Sequence, residues 1–303
     1  MNEMKLDPSE VQKAIRNLES MDLEKQTLVQ IEEVLTPLFR GYSVEAPVFD
    51  PGVYLCRARI CKKPARLSDL SYPPHNSVMR LGRANDVGQS VFYAATARNV
   101  PFFELDVAPG DVVALSHWKT TAPLLLNHIG FSSESSTSLK SKRNLDAIYS
   151  FAANTRSRGD LNALVYDYLA EKFSRKIDGT NPHAYKLTVA ISRKLLGNGP
   201  FLGILYPTVE MSGNADNVAL TKDAADRALK FVSVEYVQVK SVKEGTYDIE
   251  VLDSASKVDL IGTLLWSGRR LQWQVPSKDQ LKIISNGLEW LAYDKYGQRV
   301  DPQ

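Results

Sequence analysis

Apolar positions in the first forty residues recur at helical spacing and predict two helices. Asp7 and Pro8 are typical of a helix start, and Val11, Ile15 and Leu18 share one helical face. After a break, the same spacing returns at Leu28, Ile31, Val34, Leu35 and Leu38. We therefore predict an N-terminal helical extension, residues 1–42, folded as a hairpin that covers one side of the following domain. The alternative is that this hairpin binds a partner protein or a second copy of the chain.

From residue 43 onward the pattern changes to short apolar runs separated by proline and glycine, which predicts β-strands. The predicted strands are residues 53–60, 91–95, 112–115 and 201–206. Helical spacing returns in residues 161–173 and 185–196. A serine-rich stretch without periodicity, residues 132–141, predicts an exposed loop.

Two further apolar runs, residues 261–266 and 271–275, flank the turn signal Ser267-Gly268-Arg269-Arg270 and predict a C-terminal β-hairpin. Residues 278–291 then predict a closing helix. No linker is visible after residue 42, so residues 43–303 are predicted to form one domain. The mixture of strands and helices predicts the α+β class.

Composition narrows the class of protein. The chain has 303 residues, of which 44% are apolar and 24% charged, as in ordinary globular proteins. It has no uninterrupted run of about 18 apolar residues, so no membrane anchor is expected. Its N-terminus lacks the pattern of a secretion signal, and we expect a cytoplasmic protein. With Cys56 and Cys61 as the only cysteines, we expect two reduced thiols in or near the core.

Charge and histidine spacing argue against two other kinds of site. A net charge of +2 is too small to predict nucleic-acid binding, and the basic cluster at Lys140, Lys142 and Arg143 is explained by a solvated loop. No histidine pair has metal-ligand spacing, so no metal is predicted. The four histidines are His75, His117, His128 and His183.

The densest group of chemically capable residues lies between positions 54 and 104. Arginine offers a planar fork of donors that suits phosphate oxygens, and Arg57 lies in a predicted strand while Arg83 follows Gly82. Tyr93 can stack on a planar ring, with its hydroxyl free for a ribose or a carboxylate. Glu104 has apolar neighbours, a setting that calls for a nearby cation such as Arg57 or Arg83 if the carboxylate is to stay charged. The residues together predict a site for an anionic ligand.

The order of these residues resembles the RES domain family, named for its arginine, glutamate and serine. The family has an arginine in an early strand, a Gly-Arg-x-Asn loop, a Tyr-Ala pair that ends a strand, and a glutamate about ten residues later. The matching positions are Arg57, Gly82-Arg83-Ala84-Asn85, Tyr93-Ala94 and Glu104, followed by Tyr206-Pro207-Thr208 and Asn217-Val218-Ala219-Leu220. The resemblance covers roughly residues 50–275. Thr208 stands where the family has serine, which keeps the hydroxyl and adds a methyl group.

The resemblance implies a fold like that of ADP-ribosyltransferases and an enzyme that consumes NAD as its substrate. It implies catalytic roles for Arg57, Glu104 and Thr208. For NAD binding it implies Arg57, Gly82, Arg83, Asn85, Tyr93 and Asn217. Family members act as toxins of toxin-antitoxin pairs, so a cognate antitoxin is an expected partner.

Breaking the nicotinamide-ribose bond leaves positive charge on the ribose carbon, which a carboxylate such as Glu104 can stabilise. In this scheme the two arginines hold phosphates, Tyr93 packs on nicotinamide, and Thr208 and Asn217 bind ribose hydroxyls or the incoming nucleophile. Arg59 is the alternative to Arg57, on the expectation that only one of them points into the cleft.

Three functions stay open at this stage. The first is an NAD glycohydrolase or phosphorylase, the second is a protein ADP-ribosyltransferase, and the third is a non-catalytic NAD-binding or protein-interaction module. Dimerisation through the helical hairpin is a further expectation.

Overall fold

In the computed structural model, the described residues are 5–177, 181–197, 199–243, 245–268, 271–275, 282–285 and 290–293, the last three ranges by their backbone alone. The chain combines helices with a large, mostly antiparallel sheet, which confirms the α+β class. The helices, in chain order, are α1 Pro8–Glu19, α2 Leu28–Phe39, α3 Val100–Glu104, α4 Ser133–Leu139, α5 Leu145–Ile148, α6 Ser150–Arg156, α7 Asp160–Ser174, α8 Tyr185–Gly197 and α9 Lys222–Ala228. Short 3-10 helices span Leu67–Leu70, His75–Ser77 and Pro182–Ala184.

The strands confirm the predicted ones and add others. They are β1 Val48–Phe49, β2 Tyr54–Ile60, β3 Val91–Ala95, β4 Val112–Thr120, β5 Leu124–His128, β6 Gly203–Pro207, β7 Asp216–Thr221, β8 Leu229–Lys243, β9 Thr246–Val258, β10 Leu264–Trp266, β11 Leu271–Val275, β12 Lys282–Ser285 and β13 Trp290–Tyr293. The main sheet has the order β1-β5-β6-β7-β3-β2-β4-β8-β9-β10, and β11 also pairs with β9. Its pairs are antiparallel except β5 with β6.

Two strands at the centre of the sheet diverge. β2 pairs with β4 along its whole length, whereas β2 and β3 are paired only at Cys56 and Ala95. β3 pairs with β7 over five residues, and β7 pairs with β6. The carboxyl end of β3 and the start of β7 therefore lie next to each other, and the loop from β6 to β7 comes to the same place.

The predicted helical hairpin is confirmed. Asp7 caps α1 by accepting a hydrogen bond from the Glu10 amide (2.9 Å), as the Asp7-Pro8 start predicted. Lys186 of α8 donates to three carbonyls of the turn between α1 and α2, at distances of 2.8–2.9 Å. The apolar faces of α1 and α2 join one core with α7, α8 and strands of the sheet. The hairpin thus covers one side of the domain.

Neighbouring strand residues feed different cores on the two faces of the sheet. Phe92 and Val218 belong to a core that also contains Tyr166 and Trp118. Val91 and Ala219, each next in sequence to one of them, belong to the core that contains α1 and α2. This alternation is the period of two expected along a strand, and it decides on which face each polar side chain lies.

The serine-rich stretch, predicted as an exposed loop, is instead the start of a helical segment. Ser132 is fully buried and caps α4, accepting a hydrogen bond from the Ser135 amide (3.1 Å). A helix of seven residues is too short to show clear periodicity, and serine is a favoured N-cap. For these reasons the sequence pattern missed it.

Two predictions at the C-terminus are wrong. β10 and β11 do not form a hairpin with each other, because both pair antiparallel with β9 and follow one another along its edge. Residues 269–270 of the predicted turn lie outside the described residues. In place of the closing helix, β12 and β13 form an antiparallel pair. Asn286-Gly287 between them is a typical hairpin turn sequence, although residues 286–289 are also outside the described part.

None of the helices in the described part of the chain combines the length and apolar character needed to cross a membrane.

Candidate active site

Glu104, Thr208 and Asn217 meet in the structure. Glu104 is the last residue of α3, Thr208 follows β6, and Asn217 is the second residue of β7. One carboxylate oxygen of Glu104, Oε1, accepts a hydrogen bond from the Thr208 hydroxyl and another from Nδ2 of Asn217 (2.8 Å). Two residues that are 104 and 113 positions away in the chain thus meet Glu104 at one carboxylate oxygen.

Packing of α3 explains the position of Glu104. The helix follows β3, and Phe102, in the middle of the helix, is fully buried. Phe103 makes an edge-to-face contact with Tyr247 of β9, at 5.2 Å between ring centroids, and Phe102 lies 6.1 Å from the same ring. These aromatic anchors point one side of the short helix into the core and leave Glu104 on the exposed side.

The surroundings of the carboxylate differ from those predicted. Glu104 is exposed at the end of a helix, not enclosed among apolar groups. Neither Arg57 nor Arg83 pairs with it, so the predicted cation partner is wrong. Its Oε2 atom makes no hydrogen bond within the described residues. The carboxylate is therefore held by two neutral donors and keeps one oxygen available.

Thr208 is in direct contact with Glu104. Its side chain is fully buried. The hydroxyl donates to Glu104 and accepts a hydrogen bond from the Met211 amide (3.3 Å). Within the described residues this hydroxyl contacts Glu104 and the Met211 amide, and its contact with a substrate hydroxyl stays a prediction. The threonine still supplies the hydroxyl for which the sequence comparison selected it.

Asn217 lies on the same face of the sheet as Tyr93. Ala95 is opposite Asn217 and Tyr93 is opposite Ala219 in the β3–β7 register. The Asn217 side chain is 6% exposed. Its Nδ2 is used by Glu104, whereas its Oδ1 accepts no hydrogen bond within the described residues. This oxygen is the free polar atom of the residue.

Gly82, Asn85 and Tyr93 form an internal brace. The Tyr93 hydroxyl donates to Oδ1 of Asn85 (2.9 Å) and accepts from the Ala84 amide (2.8 Å). A Cβ at Gly82 would clash with Oδ1 of Asn85 and lie 3.0 Å from the Tyr93 hydroxyl, so a larger residue would displace these side chains from their hydrogen bonds. The Tyr93 hydroxyl is therefore not free, contrary to the prediction. Ligand contacts by Gly82, Asn85 and the Tyr93 ring stay predictions.

Arg83 lies against the end of α7. Its Nη1 donates to the carbonyls of Phe173 and Arg175 (3.2 Å for the latter), and its guanidinium carbon is 5.8 Å from the Phe173 ring centroid. Nε and Nη2 make no hydrogen bond within the described residues. A partly used arginine of this kind is fixed in position and still has donors for an anion.

Tyr206 connects this arginine with the carboxylate. Burial, together with Tyr93 and the Glu104 carboxylate, raises the pKa of the Tyr206 phenol well above its usual value, and the Arg83 charge opposes the rise. Tyr206 is opposite Asn217 in the β6–β7 register, and its ring centroid lies 5.3 Å from that of Phe173, the ring against which Arg83 lies. Tyr206 therefore lies between the strand that carries Asn217 and the ring beside Arg83.

Arg57 and Arg59 lie elsewhere. Cys56 is opposite Ala95, which places Cys56 on the Asn217 face and Arg57 on the other. Arg57 donates to the carbonyls of Tyr93 (2.7 Å) and Ser71 (3.3 Å), and its guanidinium carbon is 5.4 Å from the Phe92 ring centroid. Burial, with the Arg59 charge, lowers the pKa of Arg57 to about 10, so it stays protonated at neutral pH. The structure does not bring Arg57 to Glu104.

Arg57 and Arg59 lie on the same side of β2, so the expectation that only one of them points into the cleft is wrong. Residues two apart on a strand face the same side, so both side chains point the same way. Arg59 donates to the carbonyl of Asp69 (2.6 Å), close to the Ser71 carbonyl that Arg57 uses. Both arginines hold the segment that follows β2.

A buried ion pair that the sequence did not predict lies next to the site. Arg143 is 5% exposed and binds the fully buried Asp216 at 2.7 and 3.2 Å. The prediction of a solvated basic cluster is therefore wrong for Arg143, whereas Lys140 and Lys142 are exposed. Only the position of Asp216 next to Asn217 could have drawn attention to it, because the sequence gives no sign that Arg143 is buried.

Two histidines occupy buried polar positions. His117 is 3.5 Å from the Cys56 sulfur and 3.7 Å from Glu235, and His128 lies between the hydroxyls of Tyr166 (3.1 Å) and Thr155 (3.2 Å). Within the described ranges, no three His, Cys, Asp or Glu side chains are arranged to hold a metal. Both cysteines are free thiols, Cys56 buried and Cys61 partly buried, as predicted.

Comparison with known proteins gives no relative: no protein-family model matches the chain, and neither a curated protein nor a solved structure matches it.

Proposed function

We propose that the protein is an NAD-consuming enzyme that cleaves the bond between nicotinamide and ribose, with Glu104 as its catalytic carboxylate. The observation that carries the proposal is the convergence of Thr208 and Asn217 on one oxygen of Glu104. The family resemblance selected these three residues from separate motifs in the sequence. Their contact in space supports reading them as one site.

The way Glu104 is held suits this reaction. As the bond to nicotinamide breaks, nicotinamide leaves with the electron pair and the ribose carbon becomes positively charged. A carboxylate placed beside that carbon stabilises the charge, provided that no cation already neutralises it. Thr208 and Asn217 are neutral donors, so they aim the carboxylate without cancelling its charge. Water or phosphate would then attack the ribose carbon, as hydrolysis or phosphorolysis.

The remaining groups have roles that follow from their unused atoms. Nε and Nη2 of Arg83 would bind the diphosphate, because Nη1 alone is occupied. Oδ1 of Asn217 would accept a hydrogen bond from a ribose hydroxyl. Thr208 is a positioning residue because it is fully buried. Arg57 would hold the segment after β2 in place through its hydrogen bonds to the Ser71 and Tyr93 carbonyls, without contacting the substrate.

The proposal includes a fold of the ADP-ribosyltransferase type and a cytoplasmic location. The mostly antiparallel sheet, with β2 and β3 paired only at Cys56 and Ala95, is compatible with that fold. Two free thiols fit a reducing compartment.

The test is release of nicotinamide from NAD by the purified full-length protein, with and without phosphate. We expect Glu104→Gln to lower the rate by about 10²–10³-fold, as for other removed charge-stabilising groups. Glu33→Gln is the matched control, because Glu33 is an exposed carboxylate on α2, remote from the site in sequence. A phosphate requirement would identify a phosphorylase.

Three results would count against this function. Transfer of the ADP-ribosyl group from labelled NAD to protein, without release of free ADP-ribose, would favour the transferase. Binding of NAD without turnover would favour a binding module. Equal rates for wild type and Glu104→Gln would remove Glu104 from the mechanism.

A further inference from the structure

A buried cluster of Arg143, Tyr149 and Asp216, called the clamp below, lies behind the residues that hold Glu104. Arg143 binds both carboxylate oxygens of Asp216, and the Tyr149 hydroxyl donates to Oδ2 of Asp216 (2.6 Å). The side chains of the ion pair are 2% and 1% exposed. Asp216 immediately precedes Asn217 on β7, and the two side chains lie on opposite faces of the sheet.

The same guanidinium binds the backbone of the loop between β6 and β7. Nε of Arg143 donates to the Gly213 carbonyl (2.6 Å), and Nη2 donates to the Ala215 carbonyl (2.9 Å). The Ala215 carbonyl also accepts a hydrogen bond from the Thr208 amide (2.9 Å). Arg143 and Thr208 therefore share one acceptor, which links the clamp directly to a donor of Glu104.

The loop conformation needs such support. Ser212 has a φ of 53°, in the left-handed region that a non-glycine residue rarely adopts, and Gly213 follows with a φ of 70°. Neighbours of Arg143 add hydrogen bonds, from the Ser141 hydroxyl to the Gly213 carbonyl (3.3 Å) and from the Lys142 amide to Oδ1 of Asn214 (2.8 Å). Strain of this kind persists where the surrounding contacts hold it.

We propose that Arg143 is a positioning residue for the reaction: by fixing the loop from Thr208 to Asn217, it sets the two donors that aim the Glu104 carboxylate. The proposal rests on the proposed function, and it assigns a role to a residue that no sequence motif singled out. Tyr149 acts in the same way through Asp216. Neither side chain touches the substrate, because both act from the opposite face of the sheet.

The kinetic test compares Arg143→Lys and Tyr149→Phe with wild type in nicotinamide release. Lysine keeps the charge but loses the planar fork, so we expect kcat to fall by about tenfold or more, with KM within about twofold, because a small misplacement of a catalytic group is costly. Tyr149→Phe removes the hydrogen bond to Asp216 and no charge, and we expect a smaller fall of about threefold. Tyr166→Phe is the control, since its hydroxyl is also buried and contacts His128 and the Phe131 carbonyl, not Asp216.

A double-mutant cycle separates positioning from general damage. If Arg143 acts through the donors of Glu104, Arg143→Lys should lower kcat less in an Asn217→Ala background than in wild type. A purely structural role would give the same fall in both backgrounds. Equal falls, or a change confined to KM, would overturn the proposal.

A second measurement does not depend on activity. The amides of Thr208, Met211 and Gly213 are hydrogen-bonded inside the loop. We expect their hydrogen exchange to become at least about tenfold faster in Arg143→Lys and Tyr149→Phe, with β2 and β4 amides unchanged, because opening of the loop becomes easier. Unchanged hydrogen exchange of these loop amides in both variants would overturn the proposal that the clamp fixes the loop. If wild type releases no nicotinamide, the proposed function fails and the exchange data still decide whether the clamp exists.

Discussion

Asp216 and Glu104 are two carboxylates tied to the same loop and held in opposite ways. Both oxygens of Asp216 are bound, by the guanidinium of Arg143 and the hydroxyl of Tyr149, and the side chain is buried. Glu104 is exposed, and its one bound oxygen has only the neutral donors Thr208 and Asn217.

The difference separates a structural charge from one that is available for chemistry. A buried carboxylate must be paired with a cation, and the paired charge stabilises the fold and is not available to a ligand. A carboxylate that is fixed by neutral donors keeps its charge and a free oxygen for a ligand. To judge whether a carboxylate can act on a ligand, the number of its oxygens that are already hydrogen-bonded is thus more informative than its distance from a site.

The largest effect on stability should come from Asp216. Asp216→Asn leaves the buried Arg143 without its counterion, and we expect the free energy of unfolding to fall by about 3–5 kcal/mol. Glu104→Gln is the matched control, with an expected change of only about 1 kcal/mol, because glutamine keeps the acceptor oxygen for Thr208 and Asn217 and loses only the charge. Denaturant unfolding at pH 7 measures both. Equal losses in the two variants would remove the distinction between the carboxylates.

The next prediction concerns activity and Thr208, the donor that holds Glu104, and its expected free-energy change is smaller. Thr208→Val keeps the shape but removes the hydroxyl, and a hydrogen bond to a charged group is worth about 1.5–3 kcal/mol. We expect kcat for nicotinamide release to fall by about tenfold or more. Thr208→Ser keeps the hydroxyl and should stay within about threefold of wild type. If valine and serine behave alike, the hydroxyl is not what positions the carboxylate.

Glu235 is a third carboxylate, between the two extremes, and it gives the smallest prediction. It pairs with Arg98 (2.6 Å) and lies 3.7 Å from His117. Burial lowers the pKa of His117, but contacts with Cys56 and Glu235 outweigh it and raise the pKa from 6.5 to about 9. Because the folded pKa is the higher one, the stabilisation is complete below about pH 6.5 and is lost as pH rises towards 9.

Unfolding measured between pH 6 and pH 10 checks this. We expect the free energy of unfolding to fall by at most about 1.4 kcal/mol per pH unit inside that window. His117→Gln should remove this part of the slope. A wild-type profile that is flat between pH 6.5 and 9 would contradict the assignment. His128 behaves oppositely: burial lowers its pKa to about 3, so its contribution is present above pH 6.5 and is lost in acid.

Periodicity predicted the elements that are long or strongly patterned. α1, α2, α7 and α8 and strands β2, β3 and β6 follow the predicted segments, because each has a full apolar face or run. The failures are short or ambiguous elements. α4 has only seven residues, and the edge of β9 is shared by two strands that a local pattern read as partners of each other.

By itself, the sequence determined the α+β class and the helical hairpin, and it selected Glu104, Thr208 and Asn217 as candidate site residues, which the structure brings into contact. It could not determine how their atoms are used, because the partners of Glu104 are 104 and 113 positions away in the chain. Only the tertiary structure decided that Thr208 is buried, that the Tyr93 hydroxyl is occupied and that Arg57 lies on the other face. The physical reason is that strand register and the crossing of distant segments fix which donors and acceptors meet, and no local pattern contains that information.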